Sequence, residues 1–162
     1  VNNAAMVRAS KVIKTDVRVW EEHLKVNLTG AFLCSLKVLP GMIARGRGSI
    51  INVASIYGQQ GESDLAAYCA SKAGLIGFTK ALALENARKG VTVNCIAPGY
   101  IDTEMVGAMD QKVLDSIIAQ IPVGRLGKGE EIADMVSWLA GERAGYVTGC
   151  TLSLNGGQYL VG

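Results

Sequence analysis

Ser49-Ile50-Ile51-Asn52-Val53-Ala54-Ser55 is a short apolar run broken only by Asn52, and it reads as a buried strand. Val91-Thr92-Val93-Asn94-Cys95-Ile96-Ala97 is a second such run, closed by Pro98-Gly99. Between them lies a helical pattern from about Asp64 to Lys89, with Ser63 or Asp64 as its cap and Gly90 as its stop. Strand, helix, strand is the βαβ unit of a parallel sheet, so the fold class is α/β. Working outward, Cys150-Thr151-Leu152-Ser153-Leu154 reads as a third strand, followed by Asn155-Gly156-Gly157. At the other end, Val1-Asn2-Asn3-Ala4-Ala5 reads as the tail of a strand running into a turn. The expectation is one domain over residues 1–162, with part of a larger fold lying upstream. These residues alone are then expected to leave an open, apolar sheet edge and to form no stable monomer.

Before the first strand, Thr15 or Asp16 caps a helix on which Val19, Trp20, Leu24, Leu28, Phe32, Leu36 and Leu39 recur near the helical period. Asn27 interrupts that face and predicts a bend, because its side chain competes for backbone groups. Either it is a tolerated polar residue at a bend, or the bend presents its amide or a freed carbonyl to a site. His23 reads as a surface residue. Residues 100–123 follow the carboxyl end of the second strand and carry an amphipathic helix from about Asp110 to Gln120, which suits a lid. Gly129-Glu130-Glu131 opens a last helix, running to Leu139 or Ala140.

The chemistry centres on Tyr68 and Lys72, four residues apart and so on one face of the helix. An ammonium beside a phenol lowers the phenol's pKa, which makes a proton donor or acceptor usable near neutral pH. Ser55 falls at the carboxyl end of its strand, the edge at which open parallel sheets bind ligands. Taken singly, each residue has a plainer reading. Tyr-x-x-x-Lys arises by chance, Ser55 is a strand-end serine, and Thr103 is a helix cap.

Composition narrows the classes. With 49% hydrophobic and 19% charged residues the chain is globular rather than disordered. A net charge of +2 with scattered basic residues argues against a nucleic-acid partner or a membrane-binding face. No apolar run is expected to reach membrane-spanning length, and no signal peptide opens the chain. Cys34, Cys69, Cys95 and Cys150 are widely spaced and there is a single histidine, so no metal site is expected; reduced thiols suit the cytoplasm.

In order along the chain, Asn2-Asn3-Ala4-Ala5, Lys25-Val26-Asn27, Asn52-Val53-Ala54-Ser55, Tyr68 with Lys72, Pro98-Gly99 with Thr103, and Leu154-Asn155-Gly156-Gly157 resemble the motifs of the second half of a short-chain dehydrogenase/reductase. Ala5 departs from that family's usual glycine, and the glycine-rich turn that wraps the cofactor pyrophosphate is absent. The resemblance implies the second half of a doubly wound, parallel-sheet Rossmann-type fold, with Asn27, Ser55, Tyr68 and Lys72 as catalytic residues. It also implies that Asn2, Ala4, Tyr68, Lys72, Pro98, Gly99, Ile101 and Thr103 bind the cofactor, NADP or NAD with NADP favoured. Softer features, Pro98-Gly99-Tyr100-Ile101 and the Ile121–Gly127 stretch, look most like β-ketoacyl thioester reductases acting on CoA or acyl-carrier-protein substrates. Glu62-Ser63-Asp64-Leu65 departs from the acetoacetyl-CoA reductases. A sugar, polyol or steroid alcohol substrate, or an inactive piece that only binds other subunits, are the alternatives. A homotetramer is the implied assembly.

Overall fold

The computed structural model describes residues 1–160. Three strands, β1 (Gly48–Val53), β2 (Val91–Pro98) and β3 (Thr151–Leu154), form a parallel sheet in the order β1-β2-β3. Asn2 adds a parallel bridge to Asn52 on the outer side of β1: its N–H donates to the Ile51 carbonyl and its own carbonyl accepts from Val53. The expected strand tail is therefore in place, and the α/β architecture stands.

Alternation along β1 decides which helix packs on which face. Ile50 points with Val91, Val93, Leu82 and Ala83 into one core layer, closed by Leu39, Met42, Ile43 and Phe78. Ile51 points the other way, with Ile96 and Leu139, against Ile132, Met135 and Val136. The first layer is covered by α2 (Gly30–Ala44) and α3 (Ala66–Asn86), the second by α6 (Gly129–Ala140). Helices on both faces of a parallel sheet make a doubly wound fold. α3 enters β2 through Gly90, whose φ of 74° is left-handed and whose backbone lies so close to Gly46 that a Cβ would stand 2.1 Å from the Gly46 carbonyl oxygen. Only glycine meets both demands.

The first helix differs from its expected course. α1 (Val17–Leu24), capped by Asp16 on the Arg18 N–H, runs through a π-turn (Lys25–Thr29) into α2, which continues past Pro40 to Ala44. The bend expected at Asn27 is that π-turn, with Gly30 N–H bonded to the Lys25 carbonyl. Contrary to expectation, the continuous helix Val17–Ala44 is long and apolar enough to cross a membrane by length and composition. The residues it buries against the protein, His23, Asn27, Ala31 and Ser35, are mostly polar. His23 is a second correction: it is wholly buried, not on the surface. One ring nitrogen lies 2.7 Å from the Val19 carbonyl and the other accepts the Arg8 N–H at 3.1 Å.

α3 begins two residues later than its expected cap. Leu65 precedes it without a side-chain cap, while Asp64 takes a left-handed φ of 63° in the preceding turn. After β2 the covering segment holds a short α4 (Glu104–Gly107) and then α5 (Gln111–Ala119).

Candidate active site

Ser55 stands just past the carboxyl end of β1, whose pairing is prolonged by the Ala54 N–H on the Ile96 carbonyl. It is 7% exposed, and its Oγ accepts the Tyr57 N–H at 3.2 Å, capping a single 3-10 turn, Ile56–Gly58. That turn sits directly on α3. A Cβ on Gly58 would come within 2.8 Å of the Lys72 carbonyl carbon, so glycine there is what lets Ser55 and Lys72 share one edge.

Tyr68 lies in the first turn of α3, half-buried, and Lys72 follows one turn later with 2% exposure. Lys72 Nζ donates to the Val53 carbonyl at 2.7 Å and lies 5.7 Å from the Tyr68 ring centroid. Burial pushes the Tyr68 phenol up, and hydrogen bonding with the Ser55 side chain pulls the other way. The lowering expected from Lys72 is not what the structure gives: desolvation dominates, and the ammonium is turned towards the Val53 carbonyl. Burial also lowers Lys72 to about 8, partly offset by the neighbouring Cys95 thiol.

Asn27 is buried in the π-turn, and its amide is fully engaged. Oδ1 accepts the Met6 N–H at 2.8 Å, while Nδ2 donates to the Met6 carbonyl and to Ser71 Oγ, each at 3.0 Å. Ser71 Oγ in turn donates to the Tyr68 carbonyl at 2.7 Å. The Asn27 side chain therefore splices the N-terminal segment to α3 and does not itself point a free amide at Tyr68. Asn2 Nδ2 donates to Asn52 Oδ1 at 2.8 Å, and Asn52 Nδ2 to Thr79 Oγ1 at 2.8 Å, a buried polar thread across the sheet.

The remaining residues frame the same edge. Ala4 is exposed, two residues beyond the Asn2 bridge. Pro98 ends β2 beside Leu154, and the Gly99 N–H donates to the Leu154 carbonyl at 3.0 Å. Ile101 pairs with Gly127. Thr103 caps α4 through its hydroxyl on the Val106 N–H, so its plainer reading is met in full. Ser55, Tyr68 and Lys72 are brought together; Asn27 is joined to them through Ser71, and the Thr103 hydroxyl is engaged at the start of α4. Sequence reasoning missed Ser71, Thr79, Tyr57 and the role of Gly58; Asn52, the one polar residue in its strand, was the available signal.

A cavity of about 630 Å³ lies beside this edge, walled by Tyr100, Ile101, Arg125, Thr151, Asn155 and Leu160, but it reaches none of the three convergent groups. Those groups fit the nicotinamide-ribose end of a dinucleotide: of the three N–H donors on Lys72 Nζ, the Val53 carbonyl takes one, leaving capacity for ribose hydroxyls. Among the described residues no strand passes through a glycine-rich turn into a helix N-terminus, so these residues do not provide that kind of pyrophosphate site.

A family model described as enoyl-(acyl carrier protein) reductase matches residues 1–158. The chain belongs to the short-chain dehydrogenase/reductase family. Within this family of oxidoreductases it is 51% identical over 162 residues to an acetoacetyl-CoA reductase of Shinella zoogloeoides, covering 99% of this chain and 67% of that protein. It is 52% identical over 161 residues to an acetoacetyl-CoA reductase of Rhizobium meliloti, with 99% and 67% covered. Against a 3-oxoacyl-[acyl-carrier-protein] reductase of Vibrio cholerae the identity is 45% over 161 residues, with 99% and 66% covered. The chain thus spans about two thirds of the length of these short-chain dehydrogenase/reductase relatives.

Proposed function

We propose that the chain is the catalytic part of an NAD(P)-dependent reductase of β-ketoacyl thioesters, carried by CoA or an acyl carrier protein, with NADP the favoured cofactor. The observation that carries this reading is the convergence of Ser55, Tyr68 and Lys72 at the carboxyl edge of the sheet. The names of the similar reductases supply the substrate class.

When bound, the nicotinamide supplies the hydride that reduces the ketone carbon. As negative charge grows on the carbonyl oxygen, Ser55 Oγ hydrogen-bonds it and the Tyr68 phenol gives up its proton to it. Burial holds that phenol protonated at neutral pH, the state a donor needs. Lys72, with Nζ 5.7 Å from the Tyr68 ring centroid, would stabilise the phenolate left behind and would hold the ribose hydroxyls with its spare N–H donors. The Asn27 backbone, at the π-turn, positions a water that relays protons to Lys72. Asn2, Ala4, Pro98, Gly99, Ile101 and Thr103 frame the cofactor, and residues 100–123 cover the substrate. The assembly is a homotetramer in the cytoplasm.

Tyr68→Phe in the full natural polypeptide keeps the ring and removes only the donor. NADPH-dependent reduction of acetoacetyl-CoA is expected to fall by about a hundredfold or more in kcat, with an unchanged circular dichroism spectrum. A near-parental kcat across neutral pH would mean that the proton comes from another group.

A further inference from the structure

Two aromatic side chains meet across this edge without taking part in the proton transfer. Tyr57 is the middle residue of the turn that Ser55 caps. Its hydroxyl donates to the Tyr100 hydroxyl at 3.1 Å, and the rings stand edge to face, with centroids 6.2 Å apart and planes at 83°. Tyr100 hangs from the loop that leaves β2 after Pro98-Gly99, at the start of the covering segment. A turn from β1 and a loop from β2 are thus bridged by side chains at the carboxyl edge of the sheet, next to Ser55. The Tyr57 turn is tied on its other side too, by Ser153 Oγ donating to Gln59 Oε1 at 3.0 Å. Beyond Tyr100 lies the 630 Å³ cavity, which Tyr100 lines and Tyr57 does not. Tyr100 thus has the Tyr57 hydroxyl on one side and the cavity on the other.

We propose that Tyr57 is a specificity-determining residue: by pinning Tyr100 across the site it admits thioesters with a short, unbranched β-ketoacyl end and turns away longer ones. The inference rests on the thioester-reductase reading. A neutral bond between two half-exposed phenols is weak, so its loss releases Tyr100 without disturbing the core. Removing the Tyr57 ring also leaves Tyr100 free to turn aside and gives a longer acyl chain a way towards the cavity.

The test compares kcat/KM for acetoacetyl-CoA and β-ketooctanoyl-CoA in the full natural polypeptide. Tyr57→Ala is expected to raise the long-to-short ratio by about tenfold or more, the range that hydrophobic fit commands. Tyr57→Phe and Tyr100→Phe, which remove the hydroxyl contact and keep both rings, are expected to raise it by a smaller and mutually similar factor. If the ratio stays at the parental value in all three variants, or both substrates decline in parallel, the pair only braces the loops and the proposal is overturned while the reductase reading stands. If neither parent nor variants reduce a β-ketoacyl thioester of either length, the reductase reading falls and takes this one with it.

Discussion

Lys72 combines near-complete burial with a basic group, and its pKa of about 8 sets a sign for the pH dependence of stability. The unfolded lysine titrates near the ordinary 10.5, so between about pH 8 and 10 the unfolded chain holds the proton that the folded chain releases. Stability contributed at this residue therefore rises with pH through that window. Below pH 8 both states are protonated, and the folded state carries the full cost of a buried ammonium. Above about pH 10 the raised Tyr68 phenol works the other way, because the unfolded chain ionises first. In Lys72→Met the upward slope is expected to vanish, a difference of about 2 kcal/mol between pH 7 and pH 9.5. Denaturant midpoints at pH 7 and pH 9.5 for parent and variant measure it, and equal slopes would contradict the assignment. The Tyr68–Lys72 pair was legible in the sequence because helical spacing is local geometry. The direction of the Tyr68 shift was not, because it depends on burial and on Val53, a partner from another strand. His23 was misread for the same reason: what buries it includes Arg8, fifteen positions away in the chain.

At the scale of elements, the π-turn makes one helix serve two ends. Asn27 was legible as a bend, since asparagine is a poor helix-interior residue. Its partner Met6 was not, because nothing periodic marks an extended segment whose backbone is held by a side chain. Asn27→Ala leaves the Met6 N–H and carbonyl and Ser71 without this partner, at an expected cost of about 2–3 kcal/mol in unfolding free energy. Amide exchange at Met6 and its neighbours is expected to accelerate more than exchange in β2. Uniform acceleration would mean that Asn27 only contributes to global stability. The strands and the crossover helix were legible nearly to the residue, because buried parallel strands read as continuous apolar runs. The start of α3 was not, since Asp64 in a left-handed turn looks like a cap from composition alone.

For the whole molecule, the outer face of α2 is the feature that asks for a partner. Phe32, Leu33, Leu36 and Val38 are exposed along it, Leu36 to 58%, and Leu84 is exposed on α3. An apolar surface of that kind marks an interface. The homotetramer we propose buries it between copies, with β3 and α6 making the second contact. Light scattering of the full natural polypeptide at micromolar concentration is expected to give a tetramer mass, and Leu36→Lys a smaller one. A monomer in the parent would leave the face unexplained and would contradict the assembly.

The strand order has a further consequence, in time rather than in space. Counting the Asn2 bridge, the strands stand side by side in the order in which the chain presents them. A ribosome delivering this polypeptide can lay each strand against the one already made, and none has to be threaded between two neighbours afterwards. Each addition still waits for a whole crossover to emerge, because parallel pairings close long loops and form slowly. Until Thr151–Leu154 leaves the exit tunnel, the outer edge of Val91–Pro98 stays unpaired. Nascent chains stalled before that point are thus the ones on which a chaperone that captures bare strand edges has most to hold.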